Sequence, residues 1–188
     1  MAIGFNLSNK IGGAGGAEVY LDNEIMSPQP SEVMIKSINE QIININFRKL
    51  DLPYDFSRGS AVVFNGKIHI LGSSISGNET KHYEFDGTSW TEVSTLPYDF
   101  YNGSAVVYNN KIHILGGDTS VSSAKLKHYE FDGTSWTALS NLPYGFSCGS
   151  AVVYNNKIHI LGSEISGHET KHYEFDGTSW TALSNLPY

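Results

Sequence analysis

The sequence predicts an all-β fold built from consecutive four-stranded antiparallel sheets, and three observations predict it. A Leu-Pro-Tyr triplet recurs around Pro53, Pro97, Pro143 and Pro187, at spacings of 44, 46 and 44 residues. Trp90, Trp136 and Trp180 keep the same beat. Between these marks, short β-branched or aromatic runs alternate with Asn-Gly, Asn-Asn and Asp-Gly pairs, the residue types of tight hairpin turns. A period of this length repeated along a chain marks an architecture in which each unit is one supersecondary element stacked on its neighbours.

Each element of the unit follows from its residues. Ser60 to Phe64 is short and β-branched, and Asn65-Gly66 after it suits a two-residue turn whose twist matches paired strands. Asn109-Asn110 and Asn155-Asn156 take the same place in the later units, asparagine being one of the few non-glycine residues that accept positive φ. A second strand is expected over Lys67 to Leu71, ending at Gly72, and the Ser- and Gly-rich stretch Ser73 to Thr80 reads as a loop. Lys81 to Phe85 alternates, with Tyr83 and Phe85 on one side and His82 and Glu84 on the other, as a strand does. Asp86-Gly87 turns the chain into a fourth strand, Ser89 to Val93, and Leu96-Pro97 leads into the next unit. The units span about 51–95, 96–141 and 142–188. A sheet of this kind has two apolar faces and cannot cover both alone, so the units are expected to stack around an axis as blades of a propeller.

The motifs narrow the type of blade. Each tryptophan precedes threonine, as in Trp90-Thr91, rather than closing a Trp-Asp pair. A diglycine follows the second strand at Gly116-Gly117, and an aromatic pair follows later, Tyr129 with Trp136, as Tyr83 with Trp90 and Tyr173 with Trp180. From about Leu52 to Tyr188 this resembles the kelch-repeat β-propeller family, in a degenerate form, because Gly72-Ser73 and Gly162-Ser163 carry only the first glycine. The resemblance implies a propeller whose relatives include adaptor subunits, glycan binders, actin binders and a few oxidases, so it speaks for fold more than for activity. Propellers of this class use about four to eight blades. Three blades leave two apolar faces open, so the ring is expected to be completed by another chain or by missing sequence; two chains would give six blades.

Residues 1–50 do not repeat. Ile11 to Gly16 reads as a flexible Gly-rich arm, Glu18 to Asp22 as a short strand, Val33 to Gln41 as undecided, and Ile42 to Phe47 as a strand. This non-repeating segment before a repeat array is similar in layout to bacteriophage virion appendage proteins, which implies a possible anchoring role for residues 1–50. Met1 to Lys10 offers neither a basic leader nor a long apolar run, so no signal peptide is expected and the location reads as cytoplasmic or virion-associated. No apolar run approaches the length of a membrane span. A net charge of −7 without a basic run has the wrong sign for nucleic acid or an anionic membrane.

Chemistry is sparse. The seven histidines include three pairs, His69 with His82, His113 with His128 and His159 with His172, at equivalent strand positions. A set repeated in every unit reads as packing, and no metal or cofactor is expected. The copper-radical oxidases that share the propeller fold need a cysteine cross-linked to a tyrosine with further ligands, whereas Cys148 is the single thiol here and its counterparts are Arg58 and Asn102. Neither a Gly-x-Ser-x-Gly motif, a phosphate loop nor an isolated carboxylate pair is present, and the chain reads as non-enzymatic. Differences among the units collect in the loops between units and in the loops joining second to third strands, which an up-and-down blade places at one end. The candidate ligand face at that end comprises Arg58, Ser74, Asn78, Tyr101, Asn102, Asp118, Thr119, Cys148, Glu164 and His168. The expected function is a binding or structural module for a protein or glycan, anchored in a larger assembly and forming a homo-oligomer. A free-standing kelch-type interaction adaptor is the alternative.

Overall fold

The pairs that punctuate the repeat hold positive φ in every unit: 49° and 74° at Asn65 and Gly66, 48° and 56° at Asn109 and Asn110, 48° and 57° at Asn155 and Asn156. Two successive residues of this kind give the turn whose twist suits a hairpin. The structure, a computed structural model, describes residues 51–117 and 125–187. The readings made for the arm at 11–16 and for residues 18–22, 33–41 and 42–47 lie outside the described residues. Chain contacts divide the protein between Lys49 and Leu50, and every described residue belongs to the second unit.

The described residues form three four-stranded antiparallel sheets in simple up-and-down order. The first holds β1 (Ser60–Phe64), β2 (Lys67–Leu71), β3 (His82–Phe85) and β4 (Trp90–Glu92). The second holds β5 (Ser104–Tyr108), β6 (Lys111–Leu115), β7 (His128–Phe131) and β8 (Trp136–Ala138), and the third β9 (Ser150–Tyr154), β10 (Lys157–Leu161), β11 (His172–Phe175) and β12 (Trp180–Ala182). These are propeller-like blades. The register repeats without slip, pairing Phe64 with Lys67, Tyr108 with Lys111 and Tyr154 with Lys157 across the turns.

The first two strands of each blade end where the residues indicate, while the last two are shorter. Lys81 falls outside β3 because its amide donates to Asn78 O at 3.2 Å, closing a local turn. Ser89 falls outside β4 because the Asp86 carboxylate holds its amide at 2.8 Å and that of Thr88 at 2.8 Å. Asp132 and Asp176 do the same, and these hydrogen bonds, led at Asp86 by one from the Thr88 hydroxyl at 2.7 Å, keep all three carboxyls below the usual carboxylate range.

The core lies between blades. Between the first and second, Phe64, Leu71, Leu96, Phe100, Ile112, Ile114 and Phe131 form one buried cluster, against which Val107 and Trp136 pack. Between the second and third, Tyr108, Leu115, Leu142, Phe146, Ile158, Ile160 and Phe175 form its counterpart. His82 meets Phe131 and Trp136 edge-on across the first junction, and His128 meets Phe175 and Trp180 across the second.

The glycine after the second strand has a steric reason. Gly72 and Gly116 have φ of 65° and 60°, and a Cβ on either would strike the carbonyl oxygen of Phe100 or Phe146 in the next blade. Tyrosines of the Leu-Pro-Tyr triplets lock the same glycines and their third-blade counterpart, Tyr54 donating to Gly72 O at 3.1 Å, Tyr98 to Gly116 O at 2.8 Å and Tyr144 to Gly162 O at 3.1 Å.

Candidate functional site

Up-and-down order puts both variable loop types at one end of each blade, and hydrogen bonds join them. Ser74 donates its amide to Ser57 O at 2.8 Å, and Glu164 donates its own to Ser147 O at 2.9 Å. The serines that stand where the second blade has Gly117 strengthen this joint. Ser73 Oγ donates to Asp55 O at 2.8 Å and accepts from the Ser57 amide at 3.1 Å. Ser163 Oγ likewise accepts from the Ser147 amide at 3.2 Å, but it donates to Ser147 O at 3.2 Å. In the second blade Gly117 takes this place with φ of 107°, and its amide donates to Phe146 O at 2.9 Å.

Three candidate residues form a series across the blades. Asn102 donates its amide to Arg58 O at 2.8 Å, and Cys148 donates its amide to Asn102 O at 2.7 Å. Arg58, Asn102 and Cys148 share φ of 56°, 56° and 54°. Such a backbone suits asparagine and burdens arginine and cysteine, whose Cβ meets the following carbonyl. Beside them, Ser60 Oγ donates to Gly103 O at 3.0 Å and Ser104 Oγ to Gly149 O at 3.1 Å, stitching the first strands of neighbouring blades.

Glu164 brings charge to this group. Its carboxylate accepts from Ser147 Oγ at 2.8 Å, and Cys148, Lys125 and Arg58 lie close enough to act on it. Its pKa is lowered first by the Ser147 hydrogen bond, then by Cys148 and by the two cations. The exposed end therefore gathers Arg58, Lys125, Cys148 and Glu164 from three blades. Lys125 was not read from the sequence as a site residue, and only its charge in an otherwise apolar-to-polar loop signals it.

The remaining candidates are more dispersed. His168 is half-buried, edge-on to Tyr144 with centroids 5.3 Å apart, its Nδ1 3.3 Å from Gly145 O. Asn78 serves a local turn, its amide donating to Ile75 O at 3.0 Å. Tyr101 is half-buried, with its carbonyl oxygen against Gly117. Asp118 and Thr119 lie outside the described residues.

The histidines form a different pattern. His69 Nδ1 lies 3.0 Å from His82 Nε2, and the same distance joins His113 to His128 and His159 to His172. Each pair sits beside a lysine–glutamate ion pair linking the second and third strands: Lys67 with Glu84, Lys111 with Glu130, Lys157 with Glu174. Burial lowers the His82 and His128 pKa to about 3, with the neighbouring imidazole adding to the shift. Burial likewise lowers His113 to about 4 despite Glu130, and it lowers His69 despite Glu84. Among the described residues no group of three or more His, Cys, Asp or Glu side chains is arranged to hold a metal ion.

No protein-family model matches the chain. No curated protein matches it either. Solved structures do, and YjhT is one of them: it aligns with a TM-score of 0.62 and 16% identity over 73% of this chain and 54% of its own. At that identity the likeness is one of fold, and the chain spans about half the length of that relative.

Proposed function

We propose that the chain is a non-enzymatic recognition module of the kelch type, binding a protein or a glycan at the loop end of its blades. The observation that carries this reading is the backbone at Arg58 and Cys148. A residue other than glycine or asparagine at such φ costs about 1–2 kcal/mol, and the second blade carries the comfortable residue, Asn102, at the same place. A cost borne at two of three equivalent positions is accounted for when the side chains are needed there, and strained positions concentrate at ligand clamps. The charges of Arg58, Lys125 and Glu164 and the ring of Tyr101 suit polar recognition with aromatic stacking.

The histidines fit the non-enzymatic side of this reading, since each of the six strand imidazoles is turned toward its partner imidazole, and Ser94 Oγ, 3.4 Å from His82 Nδ1, is engaged by Trp136 Nε1 at 3.2 Å. Anchoring by residues 1–50 in a larger assembly, such as a virion appendage, is supported by the sequence layout, a Gly-rich non-repeating segment ahead of a repeat array.

Screening the purified chain on a glycan array and against a panel of cell-surface proteins tests the proposal. A bound ligand is expected whose affinity falls at least about tenfold, or about 1.4 kcal/mol, in Arg58→Ala and Glu164→Ala. Thr88→Ala, at the opposite end, is expected to leave affinity unchanged. Equal losses at both ends, or full affinity in all three variants, would overturn the assignment of the loop end as the recognition surface.

A further inference from the structure

Both internal junctions follow one rule. At the first, Phe100 donates its amide to Glu79 O at 2.9 Å, Asn102 donates to Arg58 O, and the Phe100 carbonyl lies over Gly72. At the second, Phe146 donates its amide to Lys125 O at 2.9 Å, Cys148 donates to Asn102 O, and the Phe146 carbonyl lies over Gly116. Each incoming blade thus seats its Leu-Pro-Tyr-x-Phe loop in a socket made by a glycine and a loop carbonyl of the blade before it. Phe100 and Phe146 are fully buried by this arrangement.

The third blade presents the same socket, with Leu186 of its own chain seated at its start, its amide donating to Thr170 O at 2.8 Å as those of Leu96 and Leu142 do to Thr80 O and Leu126 O, and with no described phenylalanine beyond it. Gly162 and Glu169, the counterparts of Gly72 with Glu79, line a cavity of about 420 Å³ together with Gly149, Leu161 and Leu186. The flat face beside it is open too. Tyr154 is 63% exposed where its counterparts Phe64 and Tyr108 are both 3% exposed.

The first blade presents the complementary surface. Phe56 and Arg58 occupy the repeat positions of Phe100 and Asn102, at the end of its own Leu-Pro-Tyr loop. Ile68 is 43% exposed where its counterparts Ile112 and Ile158 are both fully buried, and Val63, paired with it across the hairpin, is 67% exposed.

We propose that the socket of the third blade, beyond the seat that Leu186 fills, receives the Tyr54–Arg58 loop and the face of Val63 and Ile68 of the first blade of a second copy of this chain, in a head-to-tail contact that repeats the internal junctions. The residues that meet inside the chain at its two junctions are the residues left open at its two ends, in the same strand positions. The second copy is therefore favoured over an unrelated partner, since only a blade of this repeat brings the phenylalanine amide that Glu169 O would accept. Such a contact is heterologous, so it closes a ring if the rotation permits and otherwise extends as a filament. Two copies would place six blades around an axis, within the range that propellers use. The contact shares residues with the recognition surface proposed above, since Cys148 and Glu164 line this cavity and Arg58 ends the entering loop, but Val63 and Tyr154 lie outside that surface, so their variants test the contact separately.

Sedimentation velocity of the full chain across a concentration series tests it, with Val63→Glu and Tyr154→Glu as variants. Both side chains are exposed, so circular dichroism melts serve as the control that each variant folds. The wild type is expected to associate to a dimer or larger species, and each variant is expected to weaken association at least about tenfold. Mixing the two variants is expected to restore a dimer, because each supplies the intact end that the other lacks. A wild type of one-chain mass at every concentration would overturn the proposal, as would association unaffected by either variant, which would put residues 1–50 or another surface at the contact. Failure of the mixture to re-form a dimer would point to a two-fold contact of like faces and would also overturn it.

Discussion

The two ends of each blade are built under similar backbone constraint, yet they treat side chains differently. At the hairpin end, positive φ at Asn65-Gly66, Asn109-Asn110 and Asn155-Asn156 is met with the residue types that accept it. At the loop end, the positive φ shared by Arg58, Asn102 and Cys148 is met with three unrelated residues. Loops that drift are ordinarily those whose backbone is loosely held. Here the backbone is pinned by amide–carbonyl bonds between blades while the side chains change, so looseness does not account for the variety.

Four measurements break or sharpen this contrast. The largest effect is expected from Gly116→Ala at the loop end, where the new Cβ meets the Phe146 carbonyl. A loss of at least about 4 kcal/mol is expected, in the range of severe core damage. Gly66→Ala at the hairpin end has open space around it and φ of 74°, so about 1–2 kcal/mol is expected. Urea unfolding of both variants checks this, and equal losses would show that the loop end is no more tightly built than the turns.

Next comes Trp136→Ala, which removes an indole packed on the first core and its 3.2 Å hydrogen bond to Ser94 Oγ. About 3 kcal/mol is expected, as for a large aromatic truncated in a core. Trp90→Ala lies on the open side of the first blade and is expected to cost roughly half as much in dilute protein, since less apolar area leaves water there. Thermal melts of the two variants compare junction with free face directly.

A third test uses pH. His82, His113 and His128 are held neutral by burial with pKa values of about 3, 4 and 3. The unfolded chain takes up these protons near the ordinary value of about 6.5, so stability is full above that pH and falls as pH drops toward 4. Asp86, Asp132 and Asp176 have lowered pKa values, so the stability they contribute is kept above the ordinary aspartate value of about 3.9 and lost below it, which leaves the interval from pH 7.5 to pH 5 to the histidines. Urea midpoints at pH 7.5 and pH 5 measure the effect, and an unchanged midpoint would mean that the imidazoles remain hydrated. The smallest effect is expected from Arg58→Asn and Cys148→Asn, each gaining about 0.5–1 kcal/mol by relieving the left-handed backbone. A loss of stability in either would show that the side chain supports the fold rather than a ligand.

Much of the fold was legible because its signals are local. The bounds of β1 and β2 follow from β-branched runs ending at Asn-Gly or at a single glycine, and the up-and-down order follows from the short turns. The ends of β3 and β4 were less legible, because the competition at Lys81 and Ser89 comes from a neighbouring carbonyl and a carboxylate that a propensity pattern does not weigh. At the candidate site, the grouping of Arg58, Asn102 and Cys148 depends on contacts across blades, and of the three only asparagine advertises its backbone. The histidine pairs were visible as a repetition, but their 3.0 Å contacts follow from the register of adjacent strands. Ser73 and Ser163, read as departures from the diglycine, join the two loops through their hydroxyls.

The edge-on contacts between histidine and tryptophan give the molecule an optical gauge of its own. Trp136 stands 5.7 Å from His82 and Trp180 stands 5.6 Å from His128, each tryptophan facing an imidazole of the preceding blade. Trp90 has Phe85 at 5.0 Å and, within the described residues, no blade before it. An imidazolium quenches indole emission by accepting its excited electron, whereas a neutral imidazole does so weakly. Two of the three fluorophores are therefore wired to the protonation of a neighbouring blade, and Trp90 serves as the internal reference that is not.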